Sequence, residues 1–145
     1  MRIVNNAILK PQISAGDIAT LCSIHPRSEG VTSRMNGCKI YGSNTSATAD
    51  LVEIGEITGL IDNQWNDYAL TADIYYEFLV IKHPANYCEM KEFKFFAGAT
   101  DLAHVALFSS APYSAGFEKE KARDGDLGTV FTSADVSNGY IAIQI

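Results

Sequence analysis

The chain has 145 residues, enough for one domain with a real core and no need of disulfide or metal staples. Its formal net charge is −6, and no Lys/Arg cluster with interleaved aromatics offsets it, so a phosphate-backbone binder is excluded and no nucleic acid partner is expected. No stretch is long and apolar enough to enter a membrane as a helix, and three cysteines, an odd count, do not close a disulfide framework.

In the opening "MRIVNNAILKPQISA" the apolar residues are interrupted by Asn5-Asn6 and by Lys10-Pro11, so the continuous apolar run of a secretory signal is missing. Residues 1–16 read as an extended leading segment that suits strand addition to a partner. The chain is expected to be made and folded in a reducing cytoplasm without a signal peptide. From residue 17 onward the pattern is β. "DIATLCSIH" alternates and ends at Pro26. "GCKIYGS" is a short strand closed by Gly42, and "GSNTSATAD" (42–50) reads as a hairpin loop. "LVEIGEITGL" is apolar at Val52, Ile54 and Ile57. "IYYEFLVIKH" is dense in aromatic and β-branched residues and stops before Pro84. "EFKFFAG", "HVALFSS" and "GYIAIQI" complete the set, with one helical turn expected in "FEKEKARDG" (117–125), stopped by Gly125. Such runs between turn signals predict an all-β domain over 17–145, a sandwich or barrel. Cys22, Cys38 and Cys88 lie in or beside these runs and are expected as plain thiols.

The turn "ARDGDLGT" (122–129) offers carboxylates and backbone carbonyls, and hard oxygen donors in a bent loop suit Ca2+. Cys22-x-x-His25 and His83-x4-Cys88 supply zinc-type ligands, but the pairs are far apart and both histidines precede proline. No glycine-rich phosphate loop, nucleophile elbow or recognisable carboxylate acid/base pair is present, so the chain is expected not to be an enzyme.

The stretch "SRMNGCKIYGSNTSATADLVEIGEITGL", followed by "IYYEFLVIK" and "EFKFFAG", resembles the second half of a discoidin-type domain. That is the galactose-binding-like jelly-roll β-sandwich of coagulation factor C domains and many bacterial carbohydrate-binding modules. "YSAGFEKEKARDGDLGTVFTSADVSNGYIAIQI" resembles the first half, with its "KAxDGDxxTxW" turn and "WIxIDL"-like strand. The halves stand in swapped order, which implies a circular permutant joined through 98–110; a cut across two tandem domains is the alternative. Departures are Phe131 and Tyr140 for tryptophans, Gln144 for an Asp and Ile74 for an Arg.

The resemblance implies a structural Ca2+ held by Asp124, Thr129 and Glu92, with carbonyls near Ala122 and Asp126. It implies glycan recognition at loops, for which Tyr113, His25, Arg27, Asn86 and Tyr87 are the candidates, and it places Trp65 in the core under a loop. Two functions follow. The first is a non-catalytic structural protein of a virion-type assembly (phage capsid decoration, head-fibre or tail accessory), built on the carbohydrate-binding-like module. It would form homo-oligomers or contact other subunits at a virion surface or outside cells. The other is a stand-alone glycan-binding, lectin-like adhesion module.

Overall fold

The computed structural model describes residues 18–28 and 30–145, so the leading segment 1–16 lies outside the described residues. Eleven strands are described: β1 (Leu21–His25), β2 (Lys39–Ser43), β3 (Val52–Glu56), β4 (Asn66–Ala69), β5 (Phe78–His83), β6 (Glu89–Met90), β7 (Glu92–Ala97), β8 (Thr100–Asp101), β9 (Ala106–Ser109), β10 (Phe131–Thr132) and β11 (Gly139–Gln144). They form antiparallel sheets ordered β4-β1-β7-β8 and β3-β2-β5-β11-β9, with a short β10-β6 pair.

Side-chain alternation makes this a layered structure. Cys22 and Ile24 of β1 and Phe93 and Phe95 of β7 share one buried cluster with Ile40, Leu79, Ile81, Ile141 and Ile143 of the larger sheet. The chain is therefore all-β, with two antiparallel sheets facing across one core in the manner of a β-sandwich. The intervening residues of β5, Phe78 and Val80, point the other way. They pack with Ala47 and Ala142 in a small second cluster, edged by Leu51, Phe108 and Tyr140.

The expected hairpin over 42–50 is present. Ser43 Oγ donates to the Ala49 carbonyl at 2.6 Å and accepts from the Thr45 N–H at 3.0 Å, so one hydroxyl organises the loop. Val52 departs from the expected alternation and is 48% exposed, whereas Ile54 is buried. The β2–β3 pair carries a register shift between Ile40 and Tyr41, where Ile54 stands as an extra residue. The helical turn is a single 3-10 turn, Lys119–Ala122.

Gly42 is required by a close approach. A Cβ there would lie 2.3 Å from Tyr76 ring atoms, and Tyr76 is buried. Gly42→Ala is expected to lower the unfolding free energy by about 2 kcal/mol, measured by denaturant melts; an unchanged midpoint would show that the ring can move aside. The three cysteines are free and buried, and burial pushes the Cys22 and Cys38 thiols well above their ordinary range.

Candidate functional site

Two clusters gather the residues singled out from the sequence. The first is the turn after the 3-10 helix. Gly125 takes a left-handed φ of 76°, which lets the chain reverse between Asp124 and Asp126. Asp124 Oδ1 accepts from the Asp126 N–H at 2.9 Å, and Asp126 Oδ1 accepts from the Gly128 N–H at 2.7 Å. Thr129 is the hub. Its hydroxyl lies 2.7 Å from Asp124 Oδ2, 3.0 Å from the Asp126 carbonyl and 3.3 Å from the Lys121 carbonyl. One hydroxyl donates one proton, so three acceptor oxygens converge on a single donor.

Glu92 joins this turn from β7. It is 5% exposed, and its Oε2 accepts from the Gly125 N–H at 2.8 Å. Burial first, and then the adjacent Asp124 carboxyl, push Glu92 up to about 7. Burial also opposes ionisation of Asp124, but hydrogen bonds from Thr129, from the Asp126 N–H and from Glu92 outweigh it and hold Asp124 below its ordinary range. The two carboxyls are thus shifted in opposite directions, Glu92 up and Asp124 down. Asp124, Thr129 and Glu92 come together at this turn. Asp126 contributes its carbonyl, since its carboxylate caps its own turn, and the carbonyl near Ala122 that reaches the hub belongs to Lys121. Among the described residues no group of three His, Cys, Asp or Glu side chains forms a metal set. The donors here are two carboxyls, a hydroxyl and carbonyls, all hard oxygens, which fit Ca2+ and not a soft metal.

The second cluster lies around Glu89, whose side chain is 1% exposed. Arg27 Nη1 donates to Glu89 Oε1 at 3.3 Å and to Thr132 Oγ1 at 3.1 Å, and Arg34 Nε lies 3.6 Å from Glu89 Oε2. Both guanidiniums stack on rings: Arg34 over Tyr87 at 5.0 Å and Arg27 over Phe117 at 5.4 Å. Tyr113 meets Tyr87 edge-on at 6.1 Å and Phe117 edge-on at 5.9 Å, while remaining 59% exposed. Burial pushes the Glu89 carboxyl up, against the pull of the two arginines.

Tyr87 and Tyr113, from two separate segments, therefore meet, and Arg27 joins them through Phe117. Asn86 sits beside them, but its Oδ1 accepts from the Tyr87 N–H at 2.8 Å, so the side chain shapes its own turn. His25 is elsewhere: it is buried on the outer face of β1, edge-on to Trp65 at 5.7 Å. Trp65 departs from its expected core position. It shares the outward face with Asp67 and is 37% exposed, because β4 lies at the edge of its sheet. The zinc alternative also fails locally. His83 Nδ1 accepts from the Ala85 and Asn86 N–H groups, Nε2 contacts the Arg34 carbonyl at 2.6 Å, and the Cys88 thiol faces the Ile81 carbonyl.

Sequence reading missed Glu89, Arg34, Phe117 and Thr132. A Glu flanked by Cys88 and Met90 was the available signal for the first. Comparison with family models, curated proteins and solved structures returned no match to this chain.

Proposed function

We propose that the chain is a non-catalytic glycan-binding module on a galactose-binding-like β-sandwich, with its binding surface at the Tyr87–Tyr113 loop end and a structural Ca2+ at the Asp124 turn. The observation that carries this reading is the contact of Tyr87 with the exposed Tyr113, with Arg27 joined to Tyr113 through Phe117. Saccharides bury their C–H faces on aromatic rings and take hydrogen bonds from planar groups such as guanidinium. Arg34 supplies the second guanidinium, held flat by Tyr87. The Ca2+ would be held by Glu92, Asp124 and Thr129 with the Lys121 and Asp126 carbonyls, and it would fix the turn and perform no chemistry. The jelly-roll and permutation reading is supported by β11, which pairs on both sides within this chain, with β5 and β9.

The test is a glycan array run with the full chain and with Tyr113→Ala. Binding of one saccharide class, lost or weakened roughly tenfold in the variant at unchanged melting temperature, supports the reading. A blank array, or binding indifferent to Tyr113, overturns it.

A second reading, a subunit of a virion-type assembly, is favoured by one edge of the larger sheet. Among the described residues β9 pairs only with β11, so its other edge is open to strand addition. Size-exclusion chromatography with light scattering on the full chain and on a version lacking residues 1–14 decides it. An oligomer that falls to monomers on truncation supports the assembly; a monomer in both cases removes it.

A further inference from the structure

The outer face of the four-stranded sheet carries a second feature, separate from the loop end. Because Cys22 and Ile24 turn into the core, Leu21, Ser23 and His25 of β1 turn outward. Register then builds rows across the sheet. Asp67, Ser23 and Lys94 form one row, and Ala69, Leu21 and Phe96 the next. Trp65, one pleat before Asp67, stands beside the first row. Leu21, Ser23, Trp65, Asp67, Lys94 and Phe96 line an open groove of about 400 Å³. That volume is within the range of small-ligand sites, roughly 300–1,000 Å³.

The groove is built rather than incidental. Asn66, 8% exposed, pins the loop that presents Trp65: its Nδ2 donates to the Ile61 and Gln64 carbonyls, each at 2.9 Å, and its Oδ1 accepts from the Ile61 N–H at 2.9 Å. His25 braces the indole edge-on, and its buried Nδ1 has no hydrogen-bond partner among the described residues. Lys94 Nζ lies 5.3 Å from the indole centroid and 3.6 Å from Asp101 Oδ2 at the rim. Ser23 Oγ donates to Asp67 Oδ1 at 2.6 Å, which aims the carboxylate and leaves its second oxygen as an acceptor.

The lining thus offers two ring surfaces, an acceptor-only carboxylate, a donor-only ammonium and a hydroxyl. Asp67 and, at the rim, Asp101 outnumber the one ammonium, so the face disfavours an anionic ligand. We propose that this face is a second binding site, for a neutral pyranoside, with the sugar's apolar C–H face on Trp65 and its hydroxyls shared between Asp67 and Lys94. It uses none of the residues of the loop-end reading and stands or falls without it.

Trp65 is the only tryptophan in the chain, so its emission reports on this groove and not on Tyr87 or Tyr113. The experiment titrates the full chain with methyl β-D-galactopyranoside, methyl β-D-glucopyranoside and methyl α-D-mannopyranoside, with glucuronate as the charged comparison. A saturable emission change with at least one neutral glycoside, and none with glucuronate, is expected. Calorimetry should show that Asp67→Asn and Lys94→Ala each weaken binding by roughly tenfold or more, as loss of a charge-assisted hydrogen bond does. Both residues are at the surface, and a melting curve for each variant confirms folding. Tyr113→Ala leaves the response intact. No response to any neutral glycoside, a response to glucuronate alone, or loss of the response in Tyr113→Ala overturns the proposal. A blank array with a positive Trp65 titration overturns only the loop-end reading.

Discussion

Millimolar Ca2+ added to metal-free protein at mildly alkaline pH is expected to raise the unfolding free energy, by about 4 kcal/mol once free ion stands a thousandfold above its dissociation constant. The reason is the raised Glu92 carboxyl beside Asp124. In the absence of cation, folding raises the Glu92 value from 4.5 to about 7, so between these limits the folded state binds a proton that the unfolded state does not. By linkage the metal-free protein loses stability as pH rises through that window, and the stabilisation is fully present only below it. A bound cation would take the place of that proton among the same oxygens. Its benefit is therefore largest above pH 7 and fades on acidification, the reverse slope. Glu92→Gln keeps an acceptor for the Gly125 N–H but cannot ionise, so the variant loses both the pH slope and most of the Ca2+ response. Calorimetric melts across pH, with and without Ca2+, read all of this. A melting temperature indifferent to millimolar Ca2+ above pH 7 would remove the cation from the structure's account.

Removing the buried carboxylate at the loop end has the second large effect. Glu89→Ala is expected to cost about 3 kcal/mol, because breaking a buried ion pair from one side leaves uncompensated charge. Here two guanidiniums are left, since Arg27 and Arg34 both face Glu89. Their side chains retain 22% and 32% exposure, which places the cost at the low end of the range for such breaks. Thr132 loses a hydroxyl partner at 3.4 Å as well. Glu89→Gln preserves an acceptor for Arg27 and Thr132, so its cost is smaller, about 1 kcal/mol. Urea titrations of the two variants separate the terms. If alanine costs no more than glutamine, the retained acceptor contributes nothing; if glutamine is as stable as the parent, the charge contributes nothing and the cluster is held by hydrogen bonds and ring stacking. Because Arg27 stacks on Phe117 and Arg34 on Tyr87, the alanine variant is also expected to loosen Tyr113, which a near-ultraviolet circular dichroism spectrum would register.

Much of this molecule was legible from residue order. Strands with a strong period, such as "FLVIKH" and "EFKFFA", declare themselves because alternate residues must reach one core. The same holds for the hairpin loop over 42–50 and for the three buried thiols. The oxygen-rich turn was visible too, since Asp-Gly-Asp followed by Thr forms its hydrogen bonds almost within itself. Tertiary structure decided the rest. β6, β8 and β10 span two residues each, too short to carry a period, and exist because a neighbouring strand pairs with them. His25 and Arg27 stand two residues apart in the chain, yet one faces Trp65 on the sheet and the other Glu89 at the loop end. Trp65 reads as a core residue in isolation and becomes a surface platform because its strand lies at a sheet edge. Local sequence determines whether a segment is a strand; only pairing register and layer position determine which face its side chains show and which distant residues they meet.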